Sequence, residues 1–239
     1  MLPDKKEDAL NSDQMKYRYF IAVYTNQVKD YCDHQFFTNL YQLSNGQDVF
    51  IVDNTIGTAY YDRLINGCTQ NGFANFSVYH LDIDGYPMES RFQRNVCDSV
   101  NYLRDLFLDR KEYDYFLIIE SDVYPPADLL IRFDESVDKL DATDPAWGIV
   151  GGIYYPGFHD YEFNTSQTSL ERTGHCLSGC TVYKRTVLEK YPFRYDPDVL
   201  GSFPDFWISF DAGKEYSLWN EHLIRCEHLH NPVNGGRTS

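Results

Sequence analysis

The sequence predicts one α/β domain, Rossmann-like, with a mostly parallel central sheet flanked by helices and a smaller, mixed C-terminal part. Three observations carry that expectation. Apolar runs of strand length alternate with longer segments whose apolar residues recur at spacings of three and four. Polar and charged residues stand at the ends of several of these runs, where open parallel sheets hold their ligands. The chain has 239 residues and is 43% hydrophobic, enough for one sizeable core.

The elements follow in order. Tyr17 to Thr25 and Asp48 to Asn54 read as strands, and Asp30 to Leu43 between them reads as a helix bearing Phe36, Phe37, Leu40 and Leu43. A third strand, Asn75 to Leu81, follows a turn rich in Gly and Asn. Glu89 to Arg110 predicts a long helix with Phe92, Val96, Val100, Leu103 and Phe107 on one face. Tyr115 to Ile119 is the next strand; Pro125 and Pro126 stop the chain after it, and Ala127 to Ala142 reads as a helix through Leu130, Phe133, Val137 and Leu140. Trp147 to Tyr155 is a strand with a double glycine, and His159 to Gly174 is a polar loop. Leu177 to Lys190 holds a small-residue turn entering a strand and a short helix; Asp205 to Lys214 is helical, and Leu223 to His228 is a closing strand. Segments 1–16 and 231–239 are expected to be mobile. That leaves one domain over 17–230, in which 17–125 carries the alternation of a nucleotide-binding-type sheet and 126–230 is less regular.

Composition excludes several classes. A net charge of −15 with no basic stripe among 21 Lys and Arg argues against a nucleic-acid partner. No run approaches the roughly 20 apolar residues of a membrane span, and the polar opening has no signal-peptide core, so a soluble cytoplasmic protein is expected. Six scattered cysteines form no paired C-x-x-C pattern and read as small buried hydrophobes. The 20 tyrosines offer faces for sugar rings or bases, although most tyrosines only pack.

The most informative stretch joins the strand Tyr115 to Ile119 to Glu120-Ser121-Asp122. Residues i and i+2 of an extended chain point to one side, so Glu120 and Asp122 can face one cavity, where two like charges need a cation or protonation to coexist. Such oxygen ligands suit Mn²⁺ or Mg²⁺; the same pair could instead merely solvate a turn. On the helix before it, Arg91 and Asn95 lie four apart, as do Arg94 and Asp98. Their guanidinium groups could reach a diphosphate or base, or form a solvated face with an Arg94–Asp98 ion pair.

The order of these pieces resembles the glycosyltransferases of the GT-A fold, over nearly the whole chain after about residue 17. Glu120-Ser121-Asp122 takes the place of that family's D-x-D motif. The resemblance implies that Asp122 binds the divalent metal directly, and that Glu120 reaches it through water or holds the donor ribose and sugar. Arg91 to Asn95 is similar to the R-N stretch of fungal mannosyltransferases and of viral and bacterial relatives. Phe203 to Trp207 resembles the acidic motif facing the acceptor, with Asp205 in the place of a general base and Pro204 replacing the usual glutamate; a plain helix N-cap is the other reading of Asp205. The terminal strand resembles the one that brings a histidine to the metal: His228, with His230 as the fallback. By the same resemblance Thr25, Asp53 and Asn54 lie where ribose or base is held, and Gly152 and Gly179, in the turns Gly151-Gly152 and Ser178 to Cys180, line the donor sugar and acceptor.

The expected activity is metal-dependent transfer of a sugar from a UDP- or GDP-linked donor to a hydroxyl of a glycan or glycoprotein acceptor, in a bacterial or viral cytoplasm. Two alternatives compete. One is a phosphatase or phosphotransferase of the haloacid-dehalogenase type, whose first acid would have to be an aspartate nucleophile where this chain has Glu120. The other is a degenerate transferase retained as a carbohydrate-binding scaffold.

Overall fold

The computed structural model describes residues 15–82, 91–154, 169–199 and 203–229. Both predicted mobile ends lie almost wholly outside these, as do His230 and most of the polar loop from His159. Among the described residues eight strands form one sheet in the order β3-β2-β1-β4-β8-β6-β9-β7. The first four are β1 (Tyr19–Thr25), β2 (Val49–Asp53), β3 (Phe76–His80) and β4 (Tyr115–Glu120), all mutually parallel. β8 (Cys180–Lys184) runs against both β4 and β6 (Trp147–Ile153), while β9 (Ser217–Arg225) is parallel to β6. β7 (Leu170–Thr173) closes the edge, antiparallel to β9. Six strands therefore share one direction and two oppose it, which is the mostly parallel sheet the sequence predicts.

The period of two in the central strands divides the core. Tyr19, Ile21 and Val23 of β1 and Leu117 and Ile119 of β4 pack on one face, against α1 (Asp33–Ser44), α2 (Ala59–Gln70) and α4 (Leu129–Thr143). Phe20, Ala22, Phe116 and Ile118 pack on the other, against α3 (Arg91–Asp109), α5 (Arg185–Lys190) and α6 (Pro204–Ala212). Because both faces are covered, every residue of β1 is buried, and the strand reads as a continuous apolar run. The Arg185 guanidinium fastens the second layer: it donates to the carbonyls of Phe107 and Arg110, at 3.2 and 2.8 Å, at the C-terminal end of α3, where a cation is favourable.

Several expectations are corrected. Asp30 to Leu43 is a 3-10 turn, Gln27–Cys32, followed by α1, because the Asn26 side chain caps Val28 N and starts a tighter turn. α2 was not expected; its buried stripe is just Tyr60, Leu64 and Cys68 in an otherwise polar helix. β7 lies within the segment read as loop, and its polar sequence suits an edge strand with little burial. Phe92, assigned to the apolar face of α3, is 47% exposed, since the sheet ends before it. Gly151 and Gly152 lie inside β6 rather than in a turn. All six cysteines are free and buried, as expected.

Gly152 belongs to packing. A Cβ there would stand 2.6 Å from Ile224 Cγ2 and 3.1 Å from the Ile224 carbonyl oxygen, at the point where the β6–β9 register shifts. Gly152→Ala is expected to cost about 1–3 kcal/mol of stability, read as a lower urea midpoint with an unchanged slope.

Candidate metal and donor site

The site forms where the chain order of the strands reverses: β1 leads outward to β2 and β3 on one side and has β4 on the other, leaving a crevice beyond their carboxyl ends. β4 ends at Glu120, and the chain continues through Ser121 and Asp122 into β5 (Val123–Tyr124). A two-stranded ribbon fixes this loop: β5 pairs antiparallel with β10 (Glu227–His228), His228 opposite Val123, and Leu229 N donates to the Asp122 carbonyl at 2.7 Å. Residues more than one hundred positions apart thus share one ribbon. Glu120, Asp122 and His228 each offer a ligand atom, and these atoms lie within 4.8 Å of one another. His228 Nε2 is 3.7 Å from Asp122 Oδ2, and its ring stacks on Tyr154 with centroids 5.7 Å apart. Two carboxylates and an imidazole at this spacing fit a divalent ion such as Mn²⁺.

Each carboxylate is also held by protein groups. Glu120 Oε1 accepts from the Tyr24 hydroxyl and from Ser178 Oγ, the latter at 3.0 Å. Burial pushes the Tyr24 phenol well above its ordinary value, and the Glu120 charge adds to the shift, so Tyr24 stays a donor. Asp122 Oδ2 accepts a long bond from Tyr31 at 3.4 Å. Between the acids sits Lys29, which the sequence reading passed over: its Nζ is 2.7 Å from Asp122 Oδ1 and 3.4 Å from Glu120 Oε2. Burial alone would lower the lysine pKa; Glu120 and Asp122 outweigh it and hold the ammonium above its ordinary range. The Gln27–Cys32 turn that carries Lys29 is tied to the acid loop by Cys32 Sγ, 3.2 Å from the Ser121 carbonyl. Burial pushes that thiol up to about 12.

Asp205 stands on the opposite wall. It is the second residue of α6, behind the capping position at Phe203, so the N-cap reading is corrected. Asp205 is buried; its Oδ2 accepts from Ser178 N at 3.3 Å and lies 3.4 Å from His175 Nε2. Ser178 therefore touches Asp205 through its backbone and Glu120 through its hydroxyl. The next residue has no room for a side chain: a Cβ on Gly179 would fall 2.5 Å from the Tyr154 hydroxyl oxygen, to which Gly179 N donates at 3.1 Å.

The other expected residues divide. Thr25 Oγ1 donates to Ser121 Oγ at 3.0 Å and braces the acid loop. Asp53 is buried against His80 Nδ1 at 2.9 Å. Asn54 and Asn95, with Asn26, Thr55, Ile56 and Phe92, line a cleft of about 490 Å³ beside the ends of β1 and β2. Asn54 Nδ2 donates to Ser99 Oγ at 3.0 Å, while Asn54 Oδ1 and Asn95 Oδ1 are buried without a hydrogen-bond partner among the described residues. Arg94 pairs with Asp98 at 3.8 Å on a partly exposed face of α3, the ion pair weighed from the sequence. Arg91 opens α3, and its side chain lies outside the described residues. Gly152, packed on Ile224, is structural.

No protein-family model and no curated protein matches the sequence. Solved structures do match. The mannosyltransferase PcManGT of Pyrobaculum calidifontis, determined with GDP-Man and Mn²⁺, superposes with a TM-score of 0.62 at 14% identity, over 94% of this chain and 60% of that one. S. aureus TarS, in a structure of its residues 1–349, superposes at 0.61 with 14% identity, over 89% of this chain and 60% of that one. The fold is GT-A-like. This chain spans about 60% of the length of either neighbour, and at such identity the likeness shows architecture alone. Within that GT-A-like architecture, Tyr24, Lys29, Tyr154, His175 and Ser178 are the contacts that sequence reasoning missed or left unassigned. Lys29 had one available signal: a like-charged pair demands a cation, and Lys29 follows closely on the strand beside it.

Tyr24→Phe removes a buried donor to an ionised acceptor. A loss of about 1.5–3 kcal/mol is expected in urea unfolding; wild-type stability would show that Glu120 does not depend on that hydroxyl.

Proposed function

We propose that the protein is a metal-dependent glycosyltransferase that moves a sugar from a UDP- or GDP-linked donor to a hydroxyl acceptor, a glycan or glycoprotein. The observation that carries this reading is the convergence of Glu120, Asp122 and His228 at the crevice of a GT-A-like sheet, beside a cleft of nucleoside size. Asp122 and His228 would hold Mn²⁺ or Mg²⁺, with Glu120 behind them. The ion, when bound, neutralises the charge that develops on the leaving diphosphate. The nucleoside lies in the cleft between Asn54 and Asn95, whose unpartnered carbonyl oxygens can accept from the N–H edge of uracil or guanine. The PcManGT structure, with GDP-Man and Mn²⁺ on the same architecture, supports this choice of ligands.

Asp205 takes the acceptor proton. As the acceptor oxygen bonds to the anomeric carbon, the bond from that carbon to the diphosphate oxygen breaks and its electron pair leaves with the diphosphate. Ser178 N holds the carboxylate in place for this transfer, and His175 Nε2 lies 3.4 Å from Asp205 Oδ2. Among the described residues no helix is long and apolar enough to cross a membrane. The phosphotransferase alternative finds no support: Glu120, where it needs a free nucleophile, is engaged by Tyr24, Ser178 and Lys29.

Calorimetric titration of UDP- and GDP-sugars, with and without Mn²⁺, tests the reading. Asp122→Asn is expected to abolish the metal-dependent part of donor binding. Asp205→Asn is expected to bind donor normally and to transfer sugar about 10²–10⁴-fold more slowly. Normal transfer by the Asp205 variant would remove that residue from the chemistry, and donor binding with no turnover on any acceptor would favour the scaffold alternative.

A further inference from the structure

We infer that Lys29 is a built-in counter-cation that competes with the divalent ion for Asp122 and Glu120 and moves to the donor's diphosphate when metal and nucleotide load. The inference rests on the donor reading above and adds a residue and a coupling to it. Lys29 is not a surface lysine that happens to lie nearby. Its side chain retains 10% exposure and that of Asp122 retains 8%, so the pair is formed out of bulk water. A buried ammonium is stable only against a negative partner, and two buried carboxylates only against a positive one. Each half therefore enforces the other in the ligand-free protein.

The geometry sets the two cations against each other, although Lys29 takes Asp122 Oδ1 and His228 lies by Oδ2. Lys29 Nζ takes Asp122 Oδ1 at 2.7 Å and also reaches Glu120 Oε2 at 3.4 Å, so it draws on both acids of the three-residue cluster that a metal would use. A divalent ion entering that cluster meets a unit positive charge within a few ångströms, in surroundings that screen it poorly. The repulsion is relieved if the ammonium swings away, and the flexible four-carbon stem of lysine allows that. The swing needs another anion close by. A diphosphate lying between the acid pair and the nucleoside cleft supplies one, since Asn26, Gln27 and Val28, just before Lys29 in the chain, line that cleft. In a chain of net charge −15 a local cation is also what a polyanionic donor requires. Metal and nucleotide then bind cooperatively, each removing the obstacle to the other.

The test is Mn²⁺ titration of the whole chain without nucleotide, following free Mn²⁺ by electron paramagnetic resonance. Lys29→Met is expected to bind Mn²⁺ at least about tenfold more tightly than wild type. It should also melt at a lower temperature than wild type in EDTA and recover more on adding Mn²⁺. Equal or weaker affinity in the folded variant overturns the inference and leaves the metal reading intact. No Mn²⁺ binding by either protein, matching an Asp122→Asn control, overturns both. Should Lys29→Met not fold, titration of ¹⁵N-labelled wild type with Mg²⁺ together with UDP or GDP decides through the Lys29 ammonium resonance: a shift or loss as both are added supports displacement, and an unmoved signal refutes it.

Discussion

Two carboxylates and one ammonium at the end of β4 govern the mouth of this protein. Glu120 ends β4 and Asp122 follows it in a tight turn rather than in an extended chain, yet both carboxylates face one crevice, which their charges cannot share without a cation. Lys29 provides it from the neighbouring connection, and the local structure is arranged to keep it there. Asn26 caps the turn, Cys32 ties it to the Ser121 carbonyl, and the Tyr31 hydroxyl reaches Leu229 O at 3.1 Å. Loosening any of these would leave a charge buried without its partner, which is costlier than the loss of an ordinary contact.

Topology decides which residues can join that cluster. β8 runs antiparallel to β4 with Cys180 opposite Ile119, so the antiparallel strand begins where the parallel one ends. The turn just before it, Ser178-Gly179, must then face Glu120, and Glu120 N donates to the Gly179 carbonyl at 3.0 Å. His228 arrives by a different device. β9 follows β6 in parallel until the register slips between Gly152 and Ile153; beyond the slip the chain turns out of the large sheet, and β10 pairs with β5. The Ile224 methyl fills the space a side chain at Gly152 would take, so the glycine lets β9 approach β6 just before the chain leaves for β10.

The parts of the molecule that were legible in the sequence share a physical reason. β1, β2 and β4 are covered on both faces and so read as unbroken apolar runs, while Val96, Val100, Leu103 and Phe107 repeat at helical spacing because one side of α3 lies on the sheet. α2 escaped because three small contacts suffice to dock it, and β7 because an edge strand needs little apolar surface. In the site, the carboxylates were readable from spacing and His228 through family resemblance. Lys29 had only the acid pair's demand for a cation to mark it, and otherwise a lone lysine in a polar segment looks like any solvated one. Asp205 was located, but its surroundings were not: its contacts to His175 and Ser178 depend on where β8 and α6 meet.

That meeting point explains why the two sides of the crevice stay in register. Ser178 spends its backbone N–H on Asp205 and its hydroxyl on Glu120, so a single residue sets the separation between the carboxylates on the two walls. Its freedom is small, because Gly179 behind it is pressed against the Tyr154 hydroxyl, and the Tyr154 ring is in turn stacked on His228. His228, Tyr154, Gly179, Ser178 and Asp205 thus form one series of contacts across the crevice. Close-packed contacts of this kind deform little, so they hold the Asp205 carboxylate at a fixed distance from the Glu120–Asp122 pair.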